Sequence, residues 1–90
     1  MSAQDFQDNH TGTYIDQHKR EWIIEPLQND LGIIKRPIYG IPIATEYNLK
    51  EVKEELYLTV DSTTYLILDT EEGVDLVSGD AVCYYLQRAT

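Results

Sequence analysis

Between Leu56 and Arg88 the chain repeats one pattern four times: a short apolar, β-prone run followed by a turn signal. The runs are LYLTV, YLILD, VDLV and VCYYLQR, and the breaks between them are DSTT, TEEG and SGDA. β-branched and aromatic residues at alternate positions suit strands. DSTT has the length of a four-residue hairpin loop, and Gly73 can supply a positive φ in TEEG. The pattern therefore predicts an antiparallel meander over residues 55–87. Its final run has one competitor: Ser78 could cap a helix from Gly79 to Arg88, against which Val82, Tyr84 and Tyr85 argue by propensity.

Alternation assigns the meander two faces. Leu56, Leu58, Val60, Leu66, Leu68, Val74, Leu76 and Val82 form one apolar layer, extended by Tyr84 and Leu86. The other face carries Tyr57, Thr59, Asp61, Tyr65, Ile67, Asp69, Asp75, Val77, Cys83 and Tyr85. That second face is mixed, so either the N-terminal half of the chain or a partner should cover it.

Upstream the signals are weaker. Residues 1–13 are polar, with Phe6 as the one large apolar side chain, and read as a flexible tail dispensable for folding. Residues 14–25 (YIDQHKREWIIE) mix helical and alternating spacing and lean to a short helix before Pro26. Residues 32–37 and 41–46 read as strands separated by a turn at PIYG, with Pro37 and Pro42 marking an edge or a bend. Asn48 and Glu51 resemble a capping box for a short helix over 49–55. The whole is expected to be an α+β fold. It would hold an antiparallel sheet of four to six short strands, one or two short helices and the 1–13 tail, with residues 14–90 as one domain.

Charge narrows the function. The net charge is −9, and from Glu54 to Gln87 there are eight acids and no Lys or Arg. Such a surface repels nucleic acid and anionic lipid and attracts basic surfaces. No apolar run is long enough to span a membrane. The N-terminus lacks the basic start and apolar core of a signal peptide. A single cysteine, Cys83, fits a reducing compartment, so a cytoplasmic location is expected.

Chemistry-bearing motifs are few. DTEEGVDLVSGD (Asp69–Asp80) fills positions 1 and 3 of a calcium loop but has Gly at 5, Val at 6 and the short Asp at 12. His10 and His18 have no compact ligand spacing, and Cys83 has apolar neighbours. LVSGD is not a nucleophile elbow, and no phosphate loop is present. The expectation is no catalysis, no metal and no cofactor.

Tyrosine is over-represented, with seven against one Phe. It suits half-wet interface positions. Asp61, Asp69, Glu71, Glu72 and Asp75, with Tyr57, Tyr65 and Tyr85 as contact area, are accordingly the expected partner-binding residues. The partner would be a protein with a basic surface, with neither nucleic acid nor membrane bound directly. Carboxylates two apart on a strand lie about 6.7 Å apart, on the scale of neighbouring phosphates. In composition alone the chain resembles the small acidic inhibitors of phages and mobile elements that mimic nucleic-acid charge. The rival expectation is a structural subunit, a homo-oligomer or a virion or complex component, using the mixed sheet face as its interface.

Overall fold

The computed structural model describes residues 1–89. One helix, α1 (Ala3–Asn9), precedes eight strands: β1 (Gly12–Ile15), β2 (Glu21–Pro26), β3 (Leu31–Ile38), β4 (Ile41–Val52), β5 (Glu55–Val60), β6 (Thr63–Asp69), β7 (Gly73–Ser78) and β8 (Ala81–Arg88). Each strand pairs antiparallel with the next, and β8 returns to β1, so the sheet closes into a barrel. The expected α+β sheet of four to six strands is thereby corrected. An open sheet has two faces to cover, whereas a closed one has a single interior. Eight strands leave an interior that side chains just fill. Trp22, Tyr14, Tyr47, Ile34, Leu58 and Leu76 are among those filling it, each almost wholly buried. No described helix is long and apolar enough to cross a membrane.

Both expected helices are strand. Residues 14–25 form the end of β1, a turn and most of β2, because Tyr14, Trp22 and Ile24 all point inward at a period of two. Residues 49–52 continue β4, since Leu49 lies opposite Leu58 inside the barrel; the chain then reverses at Lys53, whose φ is 58°. Local capping signals lose here to the cross-strand burial of Tyr47 and Leu49. The last run is strand β8.

The expected core face holds for β5 and β7 but is shifted by one residue in β6. Leu58 pairs with Tyr65 and Leu56 with Ile67, so Tyr65 and Ile67 face inward while Leu66 is half-buried and Leu68 is 43% exposed. The β5–β6 loop is two residues, Asp61 and Ser62, with φ of 51° and 63°, as a tight primed hairpin turn requires. An even-length loop makes even-numbered positions of one strand oppose odd-numbered positions of the next, so the inward parity inverts. Ile67→Ala is expected to cost about 2–5 kcal/mol and Leu68→Ala about 1 kcal/mol or less. Chemical denaturation checks this; equal costs would place both faces of β6 in the core.

The N-terminal segment is not a tail. Ser2 caps α1, its hydroxyl accepting from the Asp5 N–H at 3.0 Å. Phe6 is fully buried and T-stacks on Tyr47. The Gln7 amide donates to the carbonyls of Gln28 (2.7 Å) and Leu31 (2.8 Å) and accepts from the Tyr47 hydroxyl (2.6 Å). The helix therefore closes the barrel end that carries the β2–β3, β4–β5 and β6–β7 loops. Seven residues would not hold as a helix alone; Phe6 supplies the burial that orders them.

Barrel closure rests on a narrow seam. Among the described residues the register pairs of β1 with β8 are Tyr14 with Arg88 and Ile15 with Gln87, and just past them the Ala89 N–H donates to the Thr13 carbonyl at 3.0 Å. Beyond them the Gln17 side chain acts in place of a strand: its amide donates to the Cys83 carbonyl (2.9 Å) and accepts from the Tyr85 N–H (3.1 Å).

Candidate acidic docking surface

The β6–β7 loop, Thr70–Glu72, is built to be rigid. The Thr70 N–H donates to the Gly73 carbonyl and the Gly73 N–H to the Thr70 hydroxyl, both at 3.0 Å. Glu72 ties the loop to β8, its carbonyl accepting from the Arg88 N–H (2.8 Å) and its carboxylate from the Gln87 amide (2.6 Å). Gly73 does not take the positive φ expected of it. Its missing Cβ instead lets the Leu86 carbonyl approach, since a side chain there would meet that oxygen.

Beside this loop lies an open concavity of roughly 460 Å³, lined by Glu71, Glu72, Asp75 and Tyr85 together with Thr70 and Gln87. Asp75 and Tyr85 are register partners on the outer face of β7 and β8. Four of the eight expected binding residues are thus brought together. Among the described residues no Lys or Arg forms an ion pair with Glu71, Glu72 or Asp75. Their negative potential faces outward, beside a half-exposed tyrosine ring.

The other four lie apart from this surface to different degrees. Asp69 ends β6 next to the loop, but one oxygen sits 3.9 Å from His10 Nδ1. Asp61 lies at the opposite end of the barrel and is paired with Arg36 at 2.8 Å. Tyr57 is half-buried on the outer face of β5 and donates to Glu55. Tyr65 is buried inside, 6.0 Å from Tyr84 in a T-shaped contact; burial pushes its hydroxyl pKa up. As contact area Tyr65 is corrected: its ring belongs to the core.

Thr70 and Gln87 were missed by sequence reasoning. The signal of Thr70 is local, a hydroxyl that accepts from the Gly73 N–H three residues on, whereas that of Gln87 is tertiary, a bond to Glu72 across strands. Missed too were the cations that space supplies to a base-free run: Arg36 reaches Asp61, and Arg88, beside Glu71 and Glu72, donates to His10 Nδ1 at 3.1 Å.

Among the described residues no group of three or more His, Cys, Asp or Glu is placed to hold a metal ion. His10 is buried at the end of α1, with Asp5 3.4 Å away, while His18 is exposed in the β1–β2 turn. Cys83 is half-buried. Comparison with protein families, with curated proteins and with solved structures finds no match to this chain.

Proposed function

We propose that the protein is a non-catalytic, acidic protein-binding module of the cytoplasm that docks a basic surface of a partner through the concavity between the β6–β7 loop and β8. The observation that carries this reading is the convergence of Glu71, Glu72 and Asp75 on one rigid rim around Tyr85, with no cation paired to them among the described residues. An acidic rim raises the rate at which a basic surface is met, and an exposed aromatic ring supplies contact area once it is. Nucleic-acid mimicry is the sharper form of the proposal. The carboxylates cluster around a rim rather than forming a strand-long row, which favours docking on a compact basic patch over imitation of an extended phosphate backbone.

The test is association kinetics with the partner recovered by pull-down, at two ionic strengths. Reversal of Glu71 and Glu72 to Lys is expected to slow association several-fold at low salt and much less at high salt. Glu51 and Glu54, exposed near the β4–β5 turn, provide the control reversal. Equal on-rates for the two double variants would end the acidic-docking reading.

The second reading, a structural subunit, is favoured by a different part of the surface. The outer face of the barrel carries half-buried Tyr57, Leu66 and Val77 as neighbours across β5, β6 and β7. An assembly made through such a face would resist salt.

A further inference from the structure

Arg88 stands between two groups that compete for it. Its backbone N–H is fixed to the Glu72 carbonyl at 2.8 Å, and it borders a recess of the acidic rim with Glu71, Glu72 and Gln87. The guanidinium nevertheless turns the other way, and its Nη2 lies 3.1 Å from His10 Nδ1. Among the described residues Arg88 forms no ion pair, although two carboxylates lie beside it.

That contact fixes the state of the imidazole. A guanidinium has donors only, so Nδ1 must accept from it. A ring that accepts at Nδ1 is neutral, with its proton on Nε2. Nε2 faces Asp5 Oδ2 at 3.4 Å. The Asp69 carboxylate, 3.9 Å from Nδ1, gains nothing from a lone pair on that atom. Among the described residues the charged and titratable groups around the ring are Asp5 on α1, Asp69 at the end of β6, Arg88 on β8 and Tyr14 on β1. The Tyr14 hydroxyl donates to the His10 carbonyl at 2.7 Å, and burial pushes its pKa up, so it stays protonated.

A histidine changes charge between pH 5 and 8. A second proton on this ring reverses the demands at Nδ1. The atom becomes a donor, for which Asp69 is the waiting acceptor. Arg88 loses its own acceptor and meets a like charge instead. The ring is held in place, buried and stacked on Phe6, with the His10 N–H bonded to the Phe6 carbonyl at 2.8 Å. The long, exposed Arg88 side chain is therefore the part that moves. Its backbone tether keeps it at the β6–β7 loop, beside Glu71 and Glu72.

We propose that His10 is a proton switch for the charge of the acidic rim: neutral His10 holds the Arg88 guanidinium away from Glu71 and Glu72, and protonated His10 releases it to them. The three rim carboxylates, Glu71, Glu72 and Asp75, then share one cation. What the switch does for the protein rests on the docking reading above: a basic partner is held less strongly in mild acid.

The test is NMR of the free, full-length chain from about pH 8 to about pH 5.5, above the range in which glutamate titrates. The His10 ring, the Arg88 guanidinium and the Glu71 and Glu72 carboxyl carbons are expected to shift along one curve. His18, exposed in the β1–β2 turn at the other end of the barrel, should titrate without moving Arg88. His10→Asn keeps an acceptor but takes no proton, so Arg88 and both carboxyls should lose their transition. In Arg88→Gln, at an exposed position, the His10 ring should still titrate while the Glu71 and Glu72 carboxyl shifts vanish. An Arg88 guanidinium indifferent to the His10 titration, or carboxyl shifts retained in Arg88→Gln, overturns the proposal. So does release of α1 in mild acid, seen as loss of the contact between the Phe6 and Tyr47 rings, which would make His10 a latch on the helix. Hexalysine binding at low salt separates the switch from the docking reading. If Arg88 moves as expected and hexalysine binds equally at both ends of the pH range, the switch stands and the rim is not the docking site.

Discussion

Replacing Phe6 by Ala is expected to destabilise the protein by about 3–5 kcal/mol, and deletion of residues 1–11 by at least as much. Phe6 is fully buried against Tyr47 and is the one large apolar side chain on α1. Its loss opens a cavity at the barrel end and removes what orders the helix. Gln7 would follow, leaving the carbonyls of Gln28 and Leu31 and the buried Tyr47 hydroxyl to find other partners. A domain of this size has a total stability on the order of 5–13 kcal/mol, so the change removes a large part of it. Urea denaturation followed by Trp22 fluorescence measures the effect. Gln4→Ala, at an exposed position on the same helix, should cost about 0.5 kcal/mol or less. A Phe6→Ala cost below about 1 kcal/mol would return the segment to the status of a tail.

That segment shows where the sequence falls silent. The polarity of SAQDFQDNH is real: of its side chains only those of Ala3, Phe6, Gln7 and His10 are buried. A single phenylalanine among polar residues gives no periodicity, so its role appears only once a barrel end exists to receive it. The C-terminal half is the contrary case. Its four runs are strands close to the expected boundaries, because alternation and turn chemistry are local. What alternation leaves open is parity across a loop. A single miscounted face, that of β6, turned Tyr65 and Ile67 outward on paper while the barrel holds them inside. Barrel closure was illegible for a related reason. It depends on β1, four residues long, meeting β8 seventy-odd positions away through two register pairs, the bond from the Ala89 N–H to the Thr13 carbonyl, and one glutamine side chain.

The candidate site was half legible. Glu71, Glu72 and Asp75 are near one another in sequence, and a turn at Gly73 was enough to bring them together. Tyr85 reaches them through the β7–β8 register, which depends on an irregularity between Leu76 and Val77 that alternation does not reveal. Asp61 was misleading, because the base that matches it, Arg36, is twenty-five residues away and on another strand. A charge run in sequence becomes a charge patch only where the fold leaves the carboxylates without ion pairs: Asp61 is paired with Arg36 at the β5–β6 turn, whereas Arg88 lies beside Glu71 and Glu72 but its side chain is turned to His10.

Asp16 carries the second large effect, and it links the core to the seam. Its carboxylate is buried in the β1–β2 turn; one oxygen accepts the N–H groups of His18 (2.8 Å) and Arg20 (3.0 Å), and the other accepts the indole N–H of Trp22 at 2.9 Å. Burial alone would raise its pKa, but the bonds from Arg20, Trp22 and His18 and the Arg20 charge outweigh it and hold the carboxyl below the usual carboxylate range. Asp16→Asn turns one acceptor oxygen into a donor and sets it against a donor, so either Trp22 or the turn loses its partner. The expected cost is about 3 kcal/mol at neutral pH. The sign of the pH dependence follows from the lowered pKa. The ionised group stabilises the fold above its unfolded value near 3.8, and that contribution is lost as pH falls through the lower folded value. The stability gap between wild type and Asp16→Asn should therefore be constant from neutral pH down to about 5 and close in stronger acid. Gln17 follows Asp16 in the same turn, so the substitution should also release the Tyr85 N–H from its bond to the Gln17 side chain. Hydrogen exchange at Tyr85 should accelerate in Asp16→Asn more than exchange at Leu86, the buried neighbour on the same strand. Uniform acceleration along β8 would mean that the variant merely unfolds more often; acceleration confined to Tyr85 and its side of the strand would show that a buried carboxylate holds the barrel shut.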